Sequence, residues 1–129
     1  MKGKSIMVYN TEQKEKIREN IQKIVDYIEV NILPHITYSY ETGAFGPIET
    51  WGRFDENTGC RYHIALNGPY KEKIRFYHAG FPYNVNELVE SGIDNAVVFL
   101  EYWQDAKSYM NTEIKNNAEK IKIIETFEI

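Results

Sequence analysis

With 129 residues, 43% of them hydrophobic and 26% charged, and a net charge of −4, the chain has the size and make-up of one globular domain. No run approaches the roughly 18 apolar residues of a membrane helix, residues 1–9 lack the apolar stretch of a signal peptide, and a chain-wide basic footprint for nucleic acid is missing. The single cysteine excludes an internal disulfide and fits a cytoplasmic location.

Ile6 and Val8 alternate in residues 4–9, which predicts a short strand or arm. Asn10 followed by Gln13 is a capping-box pattern, and Ile17, Ile21, Ile24, Val25, Ile28 and Ile32 recur at helical spacing. Pro34 disfavours helix at the residue before it, so a helix is expected over 11–32. Its outer face carries Lys16, Glu19, Lys23 and Asp26. Residues 36–40 alternate as a half-buried strand does, and after a loop over 41–47 three more strands are expected, at 48–54, 60–66 and 74–79. Gly59 closes a turn where a short hairpin needs positive φ, and Asn67-Gly68 is a strong hairpin dipeptide. On the second of these strands Cys60, Tyr62, Ile64 and Leu66 share one face, with Arg61, His63 and Ala65 on the other. On the third, Ile74, Phe76 and His78 alternate with Arg75, Tyr77 and Ala79.

Phe81-Pro82-Tyr83 interrupts the pattern. Asn84 or Asn86 then caps a short helix to Glu90, with Gly92 as its stop. Asp94 is the expected cap of a longer helix to about residue 117, striped by Ala96, Phe99, Leu100, Trp103, Ala106, Met110 and Ile114 and flanked by Val98, Tyr102 and Tyr109. Ile121, Ile123, Phe127 and Ile129, on alternate positions, predict a terminal strand over 120–129. The expected fold is α+β. A four-stranded antiparallel meander plus a C-terminal strand is packed on one face by the N-terminal helix and the long C-terminal helix, giving two layers. Ile17, Ile21, Ile24, Ile28, Phe99, Trp103 and Met110 are the expected core.

The uncovered sheet face is the candidate working surface. Arg53, Arg61, His63, Arg75 and Tyr77, with His78 beside them, are the candidate ligand-binding residues. Guanidinium forks and an imidazole on one face suit a phosphate or carboxylate. The plain alternative is a solvated face decorated with long polar side chains. Lys71 and Lys73 fall in the same region, so a local basic face is compatible with an acidic chain. If the face were catalytic, His63 would act as acid or base on a phosphodiester or related anionic substrate, with Arg61 and Arg75 stabilising developing charge. No catalytic motif supports that chemistry. His35-Ile36-Thr37 has no second H-x-T element to pair with, and no histidine or cysteine spacing encodes a metal site. Cys60, on the apolar face, reads as a buried thiol. No cofactor is expected.

Residues 84–118 hold six acids against two bases, so the acidic excess lies on the later helices. Glu101, Tyr102, Asp105, Tyr109 and Glu113 are accordingly the candidate residues for a protein partner. Ten tyrosines, six phenylalanines and two tryptophans exceed what a core this size needs and favour binding over catalysis. The expected function is non-enzymatic binding of a protein partner or a small anionic ligand, with nucleic acid and membrane not expected. A homodimer is expected through the edge of the terminal strand or the helix flank. Small size, the lack of a catalytic motif, the acidic helix and an abundance of residues with A/T-rich codons are similar in kind to small phage-encoded inhibitors of bacterial defence systems. That likeness of character implies an inhibitor or adaptor of phage or low-GC bacterial origin.

Overall fold

A computed structural model describes residues 8–39, 41, 43–66 and 71–129. Helix α1 (Thr11–Asn31) begins where its cap dictates: Asn10 Oδ1 accepts from the Gln13 amide at 2.8 Å, and Gln13 Oε1 accepts from the Asn10 amide at 2.9 Å. It gives way to a 3₁₀ turn, Leu33–His35, at the proline that cannot continue the ladder. Strands β1 (Thr37–Ser39) and β2 (Ala44–Gly46) form a hairpin of their own. The main sheet follows as β3 (Thr50–Asp55), β4 (Cys60–Leu66), β5 (Ile74–His78) and β6 (Phe81–Tyr83), in that order and antiparallel throughout. Helices α2 (Val85–Ser91) and α3 (Ile93–Thr126) complete the chain.

The expected α+β architecture holds, with an antiparallel four-stranded sheet and helices at both ends of the chain. Its strand membership is corrected at one edge. The segment expected as the first meander strand pairs with β2 outside the main sheet, and the fourth place is taken by β6. That strand exists because Ala79 and Gly80 both take positive φ, 50° and 85°, as a two-residue hairpin turn requires. Pro82, which cannot donate to a ladder, is tolerated because β6 is the sheet's edge. Gly59 has the positive φ of 70° its turn needs, and its amide donates to Asp55 O at 2.8 Å. Leu66 pairs with Ile74, so seven residues connect β4 to β5; the Asn67-Gly68 dipeptide lies outside the described residues. So does most of the arm expected at 4–9, while Val8 and Tyr9 form no strand.

The terminal strand expected over 120–129 is not formed. Helix α3 continues to Thr126, 34 residues and about 51 Å long. No proline or glycine interrupts residues 93–126, and Ile114, Ala118 and Ile121 prolong the helical spacing that the Ile121/Ile123 alternation masks. Residues 118–129 are exposed throughout, so this end of the helix stands clear of the core. With no strand there, the edge expected to pair two copies is absent too.

All three helices gather on one side of the sheet. Phe99 of α3 meets Phe76 edge-on at 5.0 Å and Tyr62 at 5.5 Å, while α1 packs along α3, where Tyr27 meets Trp103 at 5.5 Å. Ile21, Ile28, Ile64, Leu66, Phe76, Leu88, Phe99 and Met110 are buried completely or nearly so. Trp103, expected in the core, is only partly buried at its margin.

Candidate functional site

Strand parity and register together fix the uncovered face. Thr50, Gly52 and Phe54 of β3 stand opposite Ala65, His63 and Arg61 of β4; Arg75 and Tyr77 of β5 follow beside Ala65 and His63, and Pro82 lies beyond Tyr77. None of these nine residues is buried.

Four of the five expected ligand-binding residues meet there. The His63 and Tyr77 rings stack with centroids 4.4 Å apart and planes within 8°. Arg75 Nη1 donates to the Tyr77 hydroxyl at 2.8 Å, and its guanidinium carbon lies 5.8 Å from the Tyr77 ring centre. Arg61 reaches back across β3: a β-carbon built on Gly52 would stand 2.9 Å from Arg61 Nη2 and 3.2 Å from His63 Cβ. The absent side chain at Gly52 is what admits the guanidinium. His63 is held below its ordinary pKa of 6.5, first by burial, then by Arg61 and by Arg75. The imidazole is therefore neutral at pH 7, and the positive charge of the face comes from the arginines.

Arg53 is not part of this group. It has the parity of Trp51 and Asp55, pairs with Tyr62, and lies at the rim of the helix-covered face. There it forms an ion pair with Asp105 and sits 4.6 Å over the Tyr102 ring. His78 also belongs to the covered face, 4.9 Å from Tyr62, where burial lowers its pKa.

The same contacts engage two of the five residues expected to meet a protein partner on the long helix. Asp105 is paired with Arg53. Tyr102 donates its hydroxyl to Asp55 Oδ1 at 3.0 Å and leans on Trp51 at 6.4 Å, so it faces the sheet. Its pKa is raised, chiefly by burial and the Asp55 hydrogen bond, which keeps it a donor. Glu101 and Tyr109 remain exposed and Glu113 is half-buried, with no single contact uniting them.

Three residues escaped the sequence reading. Asp55 is the buried carboxylate of the molecule's described part, 5% exposed, and also accepts from the Asn57 amide at 3.2 Å and Thr58 Oγ1 at 3.1 Å. Gly52 is the gap Arg61 fills. Phe54 stands 56% exposed on the uncovered face, directly opposite Arg61. Parity from Trp51 was the available signal for all three. Cys60 is half-buried, its thiol 3.5 Å from Thr58 O.

Among the described residues no cluster of metal-ligating side chains occurs, and no helix is long and apolar enough to cross a membrane. No family model, curated protein or solved structure matches this chain.

Proposed function

We propose that this protein binds a small anionic ligand, bearing a phosphate or carboxylate, on the uncovered face of its sheet. The observation that carries the reading is the convergence of Arg61, His63, Arg75 and Tyr77 from two adjacent strands, with the hydroxyl–guanidinium bond and the ring stack holding Arg75, Tyr77 and His63 in place. Side chains preorganised in this way lose little freedom when a ligand arrives. Arginine forks suit planar or tetrahedral oxyanions better than a lysine point charge does. A neutral imidazole beside them supplies a hydrogen-bonding edge and adds no charge of its own. Binding through the acidic helix has less support, because Tyr102 and Asp105 are engaged internally.

Titration calorimetry with 5′-AMP and with inorganic phosphate tests the reading. Arg61→Gln and Arg75→Gln should each weaken binding about tenfold or more, the loss of a charge-assisted hydrogen bond worth about 1.5–3 kcal/mol. Unchanged affinity in both variants overturns the site. Turnover of a phosphodiester by the native chain, abolished in His63→Gln, would instead establish the catalytic alternative.

A further inference from the structure

The nine residues of the uncovered face include two arginines, a histidine, a tyrosine and an exposed phenylalanine, and no carboxylate. Two carboxylates border it, since Glu72 and Glu87 line a cavity with Arg75, Tyr77 and Pro82, but neither stands among the nine. The acids excluded from this face fall largely on the helices behind it. The chain-wide charge that argues against nucleic acid is thus the wrong measure for this surface.

Phe54 adds a feature that anion binding does not use. At 56% exposure it presents an aromatic ring beside the Arg61 guanidinium on the face that no helix covers, whereas Trp51, its neighbour on the covered side, is buried. We propose that the uncovered sheet face binds single-stranded nucleic acid, one base stacking on Phe54 while Arg61 and Arg75 hold backbone phosphates. This rests on the anion-site reading and names its ligand class. A free base has a π-face for Phe54, and its neighbouring phosphates match the two guanidiniums flanking the stacked His63–Tyr77 pair. A duplex fits less well, because its bases are already stacked on one another and leave an aromatic platform nothing to receive. An apolar protein surface would satisfy Phe54 but would desolvate the Arg61 guanidinium beside it.

Fluorescence anisotropy of the intact chain with labelled ten-nucleotide oligo-dT and oligo-U, and with a ten-base-pair duplex, tests the proposal. One or both single strands should bind at least tenfold tighter than the duplex, and which of the two prevails tells DNA from RNA as the source. With two phosphates contacted, the logarithm of affinity should fall against that of salt with a slope of about −1.4. Phe54→Ala should weaken binding roughly tenfold or more and Phe54→Leu nearly as much, since a leucine preserves apolar area but cannot stack. Arg61→Gln should reduce the salt slope by about half. Full affinity in Phe54→Leu, or a duplex bound as tightly as the single strands, overturns the proposal. If 5′-AMP binds and the oligonucleotides bind no tighter, nucleic-acid recognition fails while the anion site stands. If neither binds, both readings fall together.

Discussion

Gly52 and Arg61 occupy each other's space: the guanidinium of one fills the position where the other would carry a β-carbon, 2.9 Å from it. The backbone at Gly52 is ordinary strand, so alanine is conformationally acceptable there and on propensity alone is favourable by about 0.5–1 kcal/mol. What must yield is the far end of a flexible, exposed arginine, along with a tight approach to His63 Cβ at 3.2 Å. Gly52→Ala should leave the denaturation midpoint unchanged or slightly raised and weaken anion binding roughly fivefold, about 1 kcal/mol. A variant that binds normally would show that Arg61 acts from another position.

Arg53 should behave in the opposite way. Its pairing with Asp105 and its place over Tyr102 lie at the exposed rim of the covered face, with side chains 48% and 58% exposed for the ion pair. Solvent screening limits such a pair to about 0–1 kcal/mol. Arg53→Ala should therefore cost about 1 kcal/mol or less in urea unfolding and leave ligand affinity intact. A loss of affinity matching that of Arg61→Gln would return Arg53 to the site.

The difference between these two arginines marks where sequence reading succeeds and where it stops. Strands β4 and β5 were legible because Tyr62, Ile64 and Leu66, and Ile74 and Phe76, alternate cleanly with polar neighbours, so the faces of Arg61, His63, Arg75 and Tyr77 followed from parity. Strand β3 inverts the rule: Phe54 is exposed and Asp55 buried, so polarity misassigns the strand that carries Arg53. Helix α1 was legible from its capping box and proline, local signals with local causes. The end of α3 was not, because Ile121 and Ile123 alternate as a strand does while helix continuity from residue 93 onward decides the outcome.

Acid should loosen the fold through two histidines. His63 is lowered from 6.5 by burial, Arg61 and Arg75, and His78 by burial alone. The unfolded chain therefore binds protons that the folded chain resists, and stability declines as pH falls from about 6.5 toward the lowered folded values. Unfolding between pH 7.5 and 5.5, above the range where carboxylates protonate, should show a falling midpoint. His63→Gln should flatten part of that decline. A midpoint independent of pH in the native chain would mean that neither imidazole is restrained as described.

Asp55 ties the sheet to α3 through Tyr102. The carboxylate is 5% exposed and accepts the Tyr102 hydroxyl at 3.0 Å. Removing that hydroxyl leaves a buried acceptor short of one donor, a cost of about 1–3 kcal/mol. Tyr102→Phe should lower the unfolding free energy by that amount with ligand binding unaffected. An unperturbed midpoint would show that water replaces the hydroxyl freely and that the seam is looser than its geometry.

The projecting end of α3 separates length from packing. Residues 119–129 are exposed throughout, whereas Met110, two turns before them, is fully buried. Deleting 119–129 removes exposed helix, of which Ile121 lines a shallow cavity with Thr37, Gly46 and Pro47, so the unfolding free energy should change by no more than about 0.5 kcal/mol. Met110→Ala should cost about 2–5 kcal/mol by comparison. The deletion also removes Ile121, Ile123, Ile124, Phe127 and Ile129, apolar side chains left 46% to 119% exposed. Light scattering of the full and shortened chains across a wide concentration range distinguishes the two fates of that surface. If a second copy covers it, the full chain's mass rises with concentration, the shortened chain stays at the monomer mass, and the deletion destabilises in step with the lost association. If both masses stay constant, no second copy covers that surface, and the deletion should leave the unfolding free energy within about 0.5 kcal/mol of the full chain's.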